Sequence, residues 1–182
     1  PVIPEIMIPL VSAKCEVELV RARIDGIAST VRAETETEFD YRLGIMVETP
    51  RAALRADDIA SSSAFLSFGT NDLTQMTYGL SRDDAGRFMS DYVKQGVFPE
   101  DPFHTLDIDG VGELLKIGVT RARSIKRDIV LSICGEHGGS PESIAFCREI
   151  GMDYVSCSPF RVPVAKLAAA QLAIKDDIDP SR

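Results

Sequence analysis

The chain has 182 residues, 45% of them hydrophobic and 26% charged, the balance of one globular domain with a core of its own. A net charge of −8, from 28 acidic against 20 basic residues with no basic block, argues against nucleic acid as a partner. No apolar run reaches the ~20 residues of a membrane-spanning helix, so no such helix is expected.

The chain opens at Pro1, within an apolar run and without an initiator Met. It is therefore expected to be a piece of a longer protein, with any targeting segment out of view. The first strand is expected over Glu5 to Pro9. Cys15 to Thr30 follows, with Val17, Leu19, Val20, Ile24 and Ile27 at helical spacing. The acid-rich stretch Arg32 to Asp40 is expected to be a solvated link. A second strand, Leu43 to Val47, leads to Pro50, placed as a first helical residue, and a helix over Arg51 to Ser61. A third strand, Phe65 to Phe68, runs through Gly69-Thr70-Asn71-Asp72 into a short helix over Leu73 to Gly79. Ser81 to Asp109, with Gly86, Gly96, Pro99 and Pro102, is too long for a plain connection and is expected to be a functional loop or lid. Ile129 to Ile133 is the fourth strand. Ser140-Pro141-Glu142 then supplies a cap, a first-turn proline and a first-turn acid for a helix over Ser143 to Ile150. The fifth strand is Tyr154 to Ser156, followed by an alanine-rich helix over Pro163 to Ile174. Asp176 to Arg182 is a polar tail.

Most of the strand runs are nearly continuous in hydrophobics, as suits parallel strands covered on both faces. Strands alternating with helices indicate an α/β fold. A (β/α)8 (TIM) barrel needs about 250 residues and eight strands. The chain is therefore read as the C-terminal portion of such a barrel, about five βα units, with the first strands upstream. An open five-stranded sheet is the alternative on pattern alone.

Cys15, Cys134, Cys147 and Cys157 form no C-x-x-C pair and no zinc spacing. Free, buried thiols in a reducing compartment are expected, in the cytoplasm or in an organelle reached by an upstream targeting segment. Cys134 differs from the others. It ends a strand beside glycines and one of two histidines, in Ile133-Cys134-Gly135-Glu136-His137-Gly138-Gly139, where a thiol can be reactive.

In a barrel, polar residues at strand C-termini line one mouth. Glu48 and Asp72 fall at matching positions there. Two carboxylates with the Asn71 amide nearby suit Mg²⁺, which prefers oxygen ligands and leaves positions to water and substrate. The turn at Gly69-Thr70 also offers free N–H groups to an anion. Plainer readings stand beside these. Asn71 or Asp72 serves as a helix N-cap, Glu48 as a helix-start charge, and Cys134 as a small buried core residue.

Together these motifs are more specific than any one of them. The chain closely resembles the C-terminal part of the pyruvate, phosphate dikinase family. The resemblance is carried by Pro4 to Leu10, Glu48 to Leu54, Ser67 to Tyr78, Ser81-Arg82-Asp83-Asp84, Asp101-Pro102-Phe103, Leu106-Asp107, Cys134 to Gly139 and Asp153 to Ala170. Phosphoenolpyruvate synthase and enzyme I of the sugar phosphotransferase system share the glutamate, the Gly-x-Asn-Asp turn and the Cys-Gly turn. Cys-Gly-Glu-His-Gly-Gly and the run Tyr154 to Pro163 favour the dikinases. Thr49 and Ser132 depart from the pattern, standing where an apolar residue and a glycine are expected.

The resemblance implies a barrel that binds phosphoenolpyruvate and pyruvate. It implies that Glu48 and Asp72 ligate Mg²⁺ and, with Gly69, Thr70 and Asn71, contact the substrate. It implies that Cys134 protonates the enolate carbon, supported by Ser67 and Tyr154. The whole enzyme would interconvert ATP, phosphate and pyruvate with AMP, pyrophosphate and phosphoenolpyruvate. The phosphohistidine would lie on a separate swivelling domain of the same chain, so His137 is not that residue. An ATP-grasp domain and the phosphate-gripping arginines would also lie upstream, and the complete protein would be a homodimer. The piece alone is not expected to catalyse the full reaction. A non-catalytic barrel module is a rival that predicts loss of Glu48, Asp72 or Cys134, and all three are present.

Overall fold

The computed structural model describes residues 2–178. Five strands, β1 (Glu5–Ile8), β2 (Arg42–Val47), β3 (Phe65–Gly69), β4 (Val130–Cys134) and β5 (Tyr154–Val155), form one sheet. All neighbours are parallel, and their spatial order is their chain order. A doubly wound sheet reverses its strand order at a switch point. Here the order never reverses, which is the progression of a (β/α)8 barrel, and the five units make an open arc of one.

The register separates two faces. Ile45, Val47, Leu66, Phe68, Leu131 and Ile133 point to the helices and form the main core with Val17, Ile59, Val111, Leu115 and Val119. The other face carries Gly44, Met46, Ser67, Ser132, Cys134 and Tyr154 at alternate positions, because successive side chains of a strand point to opposite sides. That face becomes the barrel interior, and its C-terminal rim holds the polar residues.

The helices are α1 (Lys14–Thr35), α2 (Pro50–Leu54), α3 (Ala56–Ser61), α4 (Thr70–Tyr78), α5 (Arg82–Ala85), α6 (Met89–Lys94), α7 (Val111–Ile125), α8 (Pro141–Glu149) and α9 (Val162–Ile178). Short 3-10 turns occupy Glu136–Gly139 and Pro159–Arg161. Pro50 and Pro141 are first helical residues, as expected, and Thr49 caps α2 by accepting from the Ala52 N–H at 3.1 Å. No helix among the described residues is long and apolar enough to cross a membrane.

Several expectations need correction. Helix α1 runs to Thr35, so the acid-rich link is shorter than Arg32 to Asp40. The helix expected over Arg51 to Ser61 is broken at Arg55, whose φ of −121° and ψ of 32° leave the helical region. The chain contains α7, which the sequence patterns above do not include. Its Val111, Leu115, Val119 and Ala122 are buried at helical spacing, and Gly118 lets it approach β3: a Cβ there would fall 2.6 Å from Phe68 Cε1. The stretch Ser81 to Asp109 is not a bare loop. It holds α5 and α6 and a small core of Ala85, Met89 and Phe103 with Leu80, Phe88 and Phe98. Phe98 meets the Tyr78 ring edge-on with centroids 5.3 Å apart. Strand β5 ends at Val155, and Cys15 is exposed rather than buried. Helix α9 continues to Ile178, into the expected tail; 179–182 lie outside the described residues.

Candidate active site

Glu48 follows the last residue of β2 and is buried, 7% exposed. Its Oε1 accepts the Leu10 N–H at 2.7 Å. Leu10 holds a φ of 52° to make that donation, an unusual conformation for a branched residue. On the other side stands Gly69, where a Cβ would fall 2.8 Å from Glu48 Cβ and 3.0 Å from Glu48 Oε2. A glycine is needed because the Glu48 side chain and the Met46 sulfur crowd one point. The Glu48 carboxyl is pushed above its ordinary range, first by burial and then by the Asp72 carboxylate within hydrogen-bonding reach, while the Leu10 N–H opposes the shift.

Strand β3 passes into α4 without a loop, so Thr70, Asn71 and Asp72 form the first turn. Asn71 and Asp72 are therefore inside the helix, and neither is its N-cap; Gly69 takes that place. Their N–H groups have no partner within the helix and face the mouth, where the helix dipole favours negative charge. Asp72 Oδ1 accepts from Gln75 Nε2 at 3.1 Å. The Gln75 Oε1 accepts the Arg82 N–H at 2.9 Å. Arg82 then donates from Nη1 to Asn71 Oδ1 at 3.1 Å and pairs through Nη2 with Glu136 Oε1 at 2.7 Å. Arg82 thus joins the ends of β3 and β4. It is a cation at the mouth that the sequence patterns left without a role, although it lies within Ser81-Arg82-Asp83-Asp84.

Cys134 ends β4 opposite Gly69 in the register. Its Sγ stands 3.3 Å from Met46 Sδ and 3.7 Å from the Phe68 carbonyl oxygen. Burial raises the thiol above its usual range, the Ser67 hydroxyl beside it lowers it, and the charges of Glu48 and Asp72 raise it further. The group is therefore a protonated thiol near neutral pH. Ser67, Cys134, Glu48 and Asp72 are brought together. Tyr154 pairs with Ser132 in the register, on the thiol's face of the sheet and one face-step below it. It is 46% exposed, and among the described residues no hydrogen bond joins it to the thiol. The Thr70 hydroxyl donates to the Cys134 carbonyl at 3.0 Å.

Glu48 and Asp72 offer carboxylate oxygens side by side, and among the described residues no basic side chain pairs with either. Their mutual repulsion and all-oxygen donor set fit a hard divalent cation that keeps several positions for water or substrate. No group of three or more metal-ligating side chains exists among the described residues; Glu48 and Asp72 stand as a pair. A hollow of ≈ 880 Å³ between α7 and α8 lies on the helical outside and shares no residue with this mouth. A smaller one of ≈ 430 Å³, lined by Gly135, Glu136, Cys157, Ser158 and Arg161, adjoins it.

A parallel arc with two carboxylates, a helix start and a protonated thiol at one mouth defines the strand-end rim of a barrel domain. Residues 2–174 match the family model of the PEP-utilising enzyme, PEP-binding domain, and the chain belongs to that family. It is 57% identical over 173 residues to a pyruvate, phosphate dikinase of Rhizobium meliloti (strain 1021), covering 95% of this chain and 19% of the relative. It is 51% identical over 175 residues to the pyruvate, phosphate dikinase of Clostridium symbiosum, covering 96% and 20%. The chain thus spans about a fifth of the length of these curated relatives. A citrate lyase from Burkholderia xenovorans LB400 superposes with a TM-score of 0.58 at 19% identity, over 90% of this chain and 48% of that one. RipC from Yersinia pestis does so with a TM-score of 0.54 at 11% identity, over 92% and 64%. At such identities the likeness is one of fold.

Proposed function

We propose that the chain is the phosphoenolpyruvate- and pyruvate-binding part of a pyruvate, phosphate dikinase. The whole enzyme interconverts ATP, phosphate and pyruvate with AMP, pyrophosphate and phosphoenolpyruvate, through a phosphohistidine on another domain of the same chain, and acts as a homodimer. The observation that carries this reading is the convergence of Glu48, Asp72 and the protonated Cys134 on one strand-end mouth, in a chain 57% identical to a dikinase.

Glu48 and Asp72 would hold Mg²⁺, which when bound would stabilise negative charge on a substrate oxygen. The protein's own groups do the rest. The N–H groups of Thr70 and Asn71 at the start of α4, with the Asn71 amide, bind the substrate's anionic end. Arg82 is held at that point by Asn71 and Glu136 and adds a cation for carboxylate or phosphoryl oxygens. When the phosphoryl group leaves phosphoenolpyruvate, the enolate needs a proton on carbon. Cys134 donates its Sγ proton and recovers it in reverse. Ser67 orients the thiol. Tyr154 is the second hydroxyl assigned to this role and acts from the open side of the sheet. The raised thiol pKa keeps the donor loaded.

In the full-length enzyme, Asp72→Ala is expected to abolish pyruvate turnover and leave ATP-dependent histidine phosphorylation measurable. Cys134→Ala is expected to block exchange of pyruvate methyl protons with solvent deuterium and still permit substrate binding. Normal methyl exchange in Cys134→Ala would remove the thiol from the mechanism.

A further inference from the structure

His137 lies in the Cys-Gly-Glu-His-Gly-Gly motif yet takes no part in the chemistry above. It is 1% exposed, and both ring nitrogens are used. Nε2 stands 3.0 Å from the Pro102 carbonyl oxygen, and Nδ1 stands 2.8 Å from Thr70 Oγ1. A carbonyl oxygen has no proton to give, so Nε2 carries one. Burial holds the imidazole below its ordinary pKa, although the bond to the Pro102 carbonyl and then Glu136 oppose this; Arg82 and His104 add to it. The ring is therefore neutral near pH 7, and Nδ1 is an acceptor. Among the described residues the hydrogen within its reach is that of the Thr70 hydroxyl, whose single proton is shared between Nδ1 at 2.8 Å and the Cys134 carbonyl oxygen at 3.0 Å. Gly135, at φ +107°, closes the other side; a Cβ there would fall 3.1 Å from Thr70 Oγ1.

Three segments far apart in sequence thus meet on one ring. Pro102 belongs to the 81–109 segment, whose Asp101-Pro102-Phe103 motif otherwise has no role at the mouth. Asp101 Oδ1 accepts the Phe103 N–H at 2.9 Å, and Phe103 is buried in that segment's own core. This presents the Pro102 carbonyl in a fixed direction. Thr70 opens the turn that carries Asn71 and Asp72, and its hydroxyl is shared with the main chain of Cys134.

We infer that His137 is a positioning residue for the proton-transfer centre: Nε2–H anchors the 81–109 segment at Pro102, and Nδ1, through Thr70, holds the substrate turn and the Cys134 main chain in register. This rests on the site reading above. The ring touches no reacting atom and acts only through Thr70. A histidine that merely filled the core would leave the thiol's reaction unchanged when its link to Thr70 alone is cut.

The test uses the full-length enzyme. His137→Gln keeps an amide N–H for the Pro102 carbonyl and removes the link to Thr70. It is expected to lower kcat for pyruvate methyl-proton exchange by roughly ten- to a hundredfold, the loss set by one buried hydrogen bond left unmade. KM for pyruvate is expected to change by less than about threefold, and ATP-dependent histidine phosphorylation on the other domain reports that the enzyme is folded. In a Thr70→Val background the same substitution is expected to add almost nothing, because both changes break one chain of bonds. Exchange at the wild-type rate in His137→Gln, or fully additive losses in the double variant, would overturn the inference. If His137→Gln does not fold, nitrogen NMR of wild-type enzyme carrying isotopically labelled histidine decides. A neutral Nε2–H tautomer whose Nδ1 signal moves in Thr70→Val supports the inference, and an Nδ1–H tautomer or a signal unmoved by Thr70→Val refutes it. Asp72→Ala in the same assay separates the two levels. If it exchanges methyl protons normally, the site reading has failed; if it is dead while His137→Gln is normal, only the role of His137 has.

Discussion

Gly69→Ala places a methyl group against the centre of the site. Gly69 has φ −83° and ψ 86°, a conformation an alanine can adopt, so the backbone adds little to the effect. The penalty is steric. The new carbon would lie 2.8 Å from Glu48 Cβ, 3.0 Å from Glu48 Oε2 and 3.2 Å from Met46 Sδ, where carbon contacts want about 3.5–4.0 Å. Glu48 cannot simply retreat, because the Leu10 N–H holds Oε1 at 2.7 Å. Met46 cannot either, because its sulfur is already 3.3 Å from the Cys134 thiol. The strain is relieved by overpacking, at about 1–3 kcal/mol, or by breaking the charge-assisted bond from Leu10, at about 1.5–3 kcal/mol. Both routes displace the Glu48 carboxylate, the proposed Mg²⁺ ligand, by a few tenths of an ångström or more. The expected result in full-length enzyme is roughly ten- to hundredfold weaker Mn²⁺ binding, read by electron paramagnetic resonance, together with a lower unfolding midpoint. Wild-type Mn²⁺ affinity with an unchanged midpoint would refute the crowding argument and with it the placement of Glu48 as a ligand.

Arg82→Lys is expected to raise KM for phosphoenolpyruvate about tenfold or more, since one ammonium cannot serve both Asn71 and Glu136 as the guanidinium fork does. The unfolding midpoint should hardly move, because a half-exposed pair contributes about 0–1 kcal/mol; a wild-type KM would remove Arg82 from the site. The same Gly→Ala substitution should act with opposite sign in two helices. At Gly118 the new Cβ would fall 2.6 Å from Phe68 Cε1, and overpacking of about 1–3 kcal/mol outweighs a helix-propensity gain of about 1 kcal/mol. At Gly26 in α1 nothing lies within 4 Å, so the propensity gain stands alone; thermal unfolding of the two variants distinguishes them. Thiol alkylation near neutral pH, followed by mass spectrometry, should label exposed Cys15 well before Cys147. The latter is buried with its pKa pushed up to about 12 by desolvation. Equal labelling of the two in folded protein would contradict the buried placement of Cys147.

The strands were legible because each is a short run of apolar residues bounded by Gly, Pro or polar groups. The first turn of α2 and that of α8 were legible from Pro50 and Pro141 in the same way. Glu48, Asp72 and Cys134 could be singled out because a barrel puts functional groups at strand ends, and those ends can be counted along the chain. Other features could not be read that way. Helix α7 contains Gly112 and Gly118, each costing about 1 kcal/mol of intrinsic helicity, and it exists because Gly118 lets it lie on Phe68. Hydrophobic runs alone are equally compatible with an open sheet; the unreversed spatial order of β1 to β5 decided for the barrel arc. Leu10 bonds Glu48 across 38 positions, and His137 bonds Pro102 across 35. No local period or propensity encodes such a pair, because periodicity reports only which face of an element is buried. The sequence by itself determined which residues could carry the chemistry. The tertiary structure decided which of them meet, and that Arg82 and His137 stand among them, because only the folded sheet brings the ends of β2, β3 and β4 to one rim.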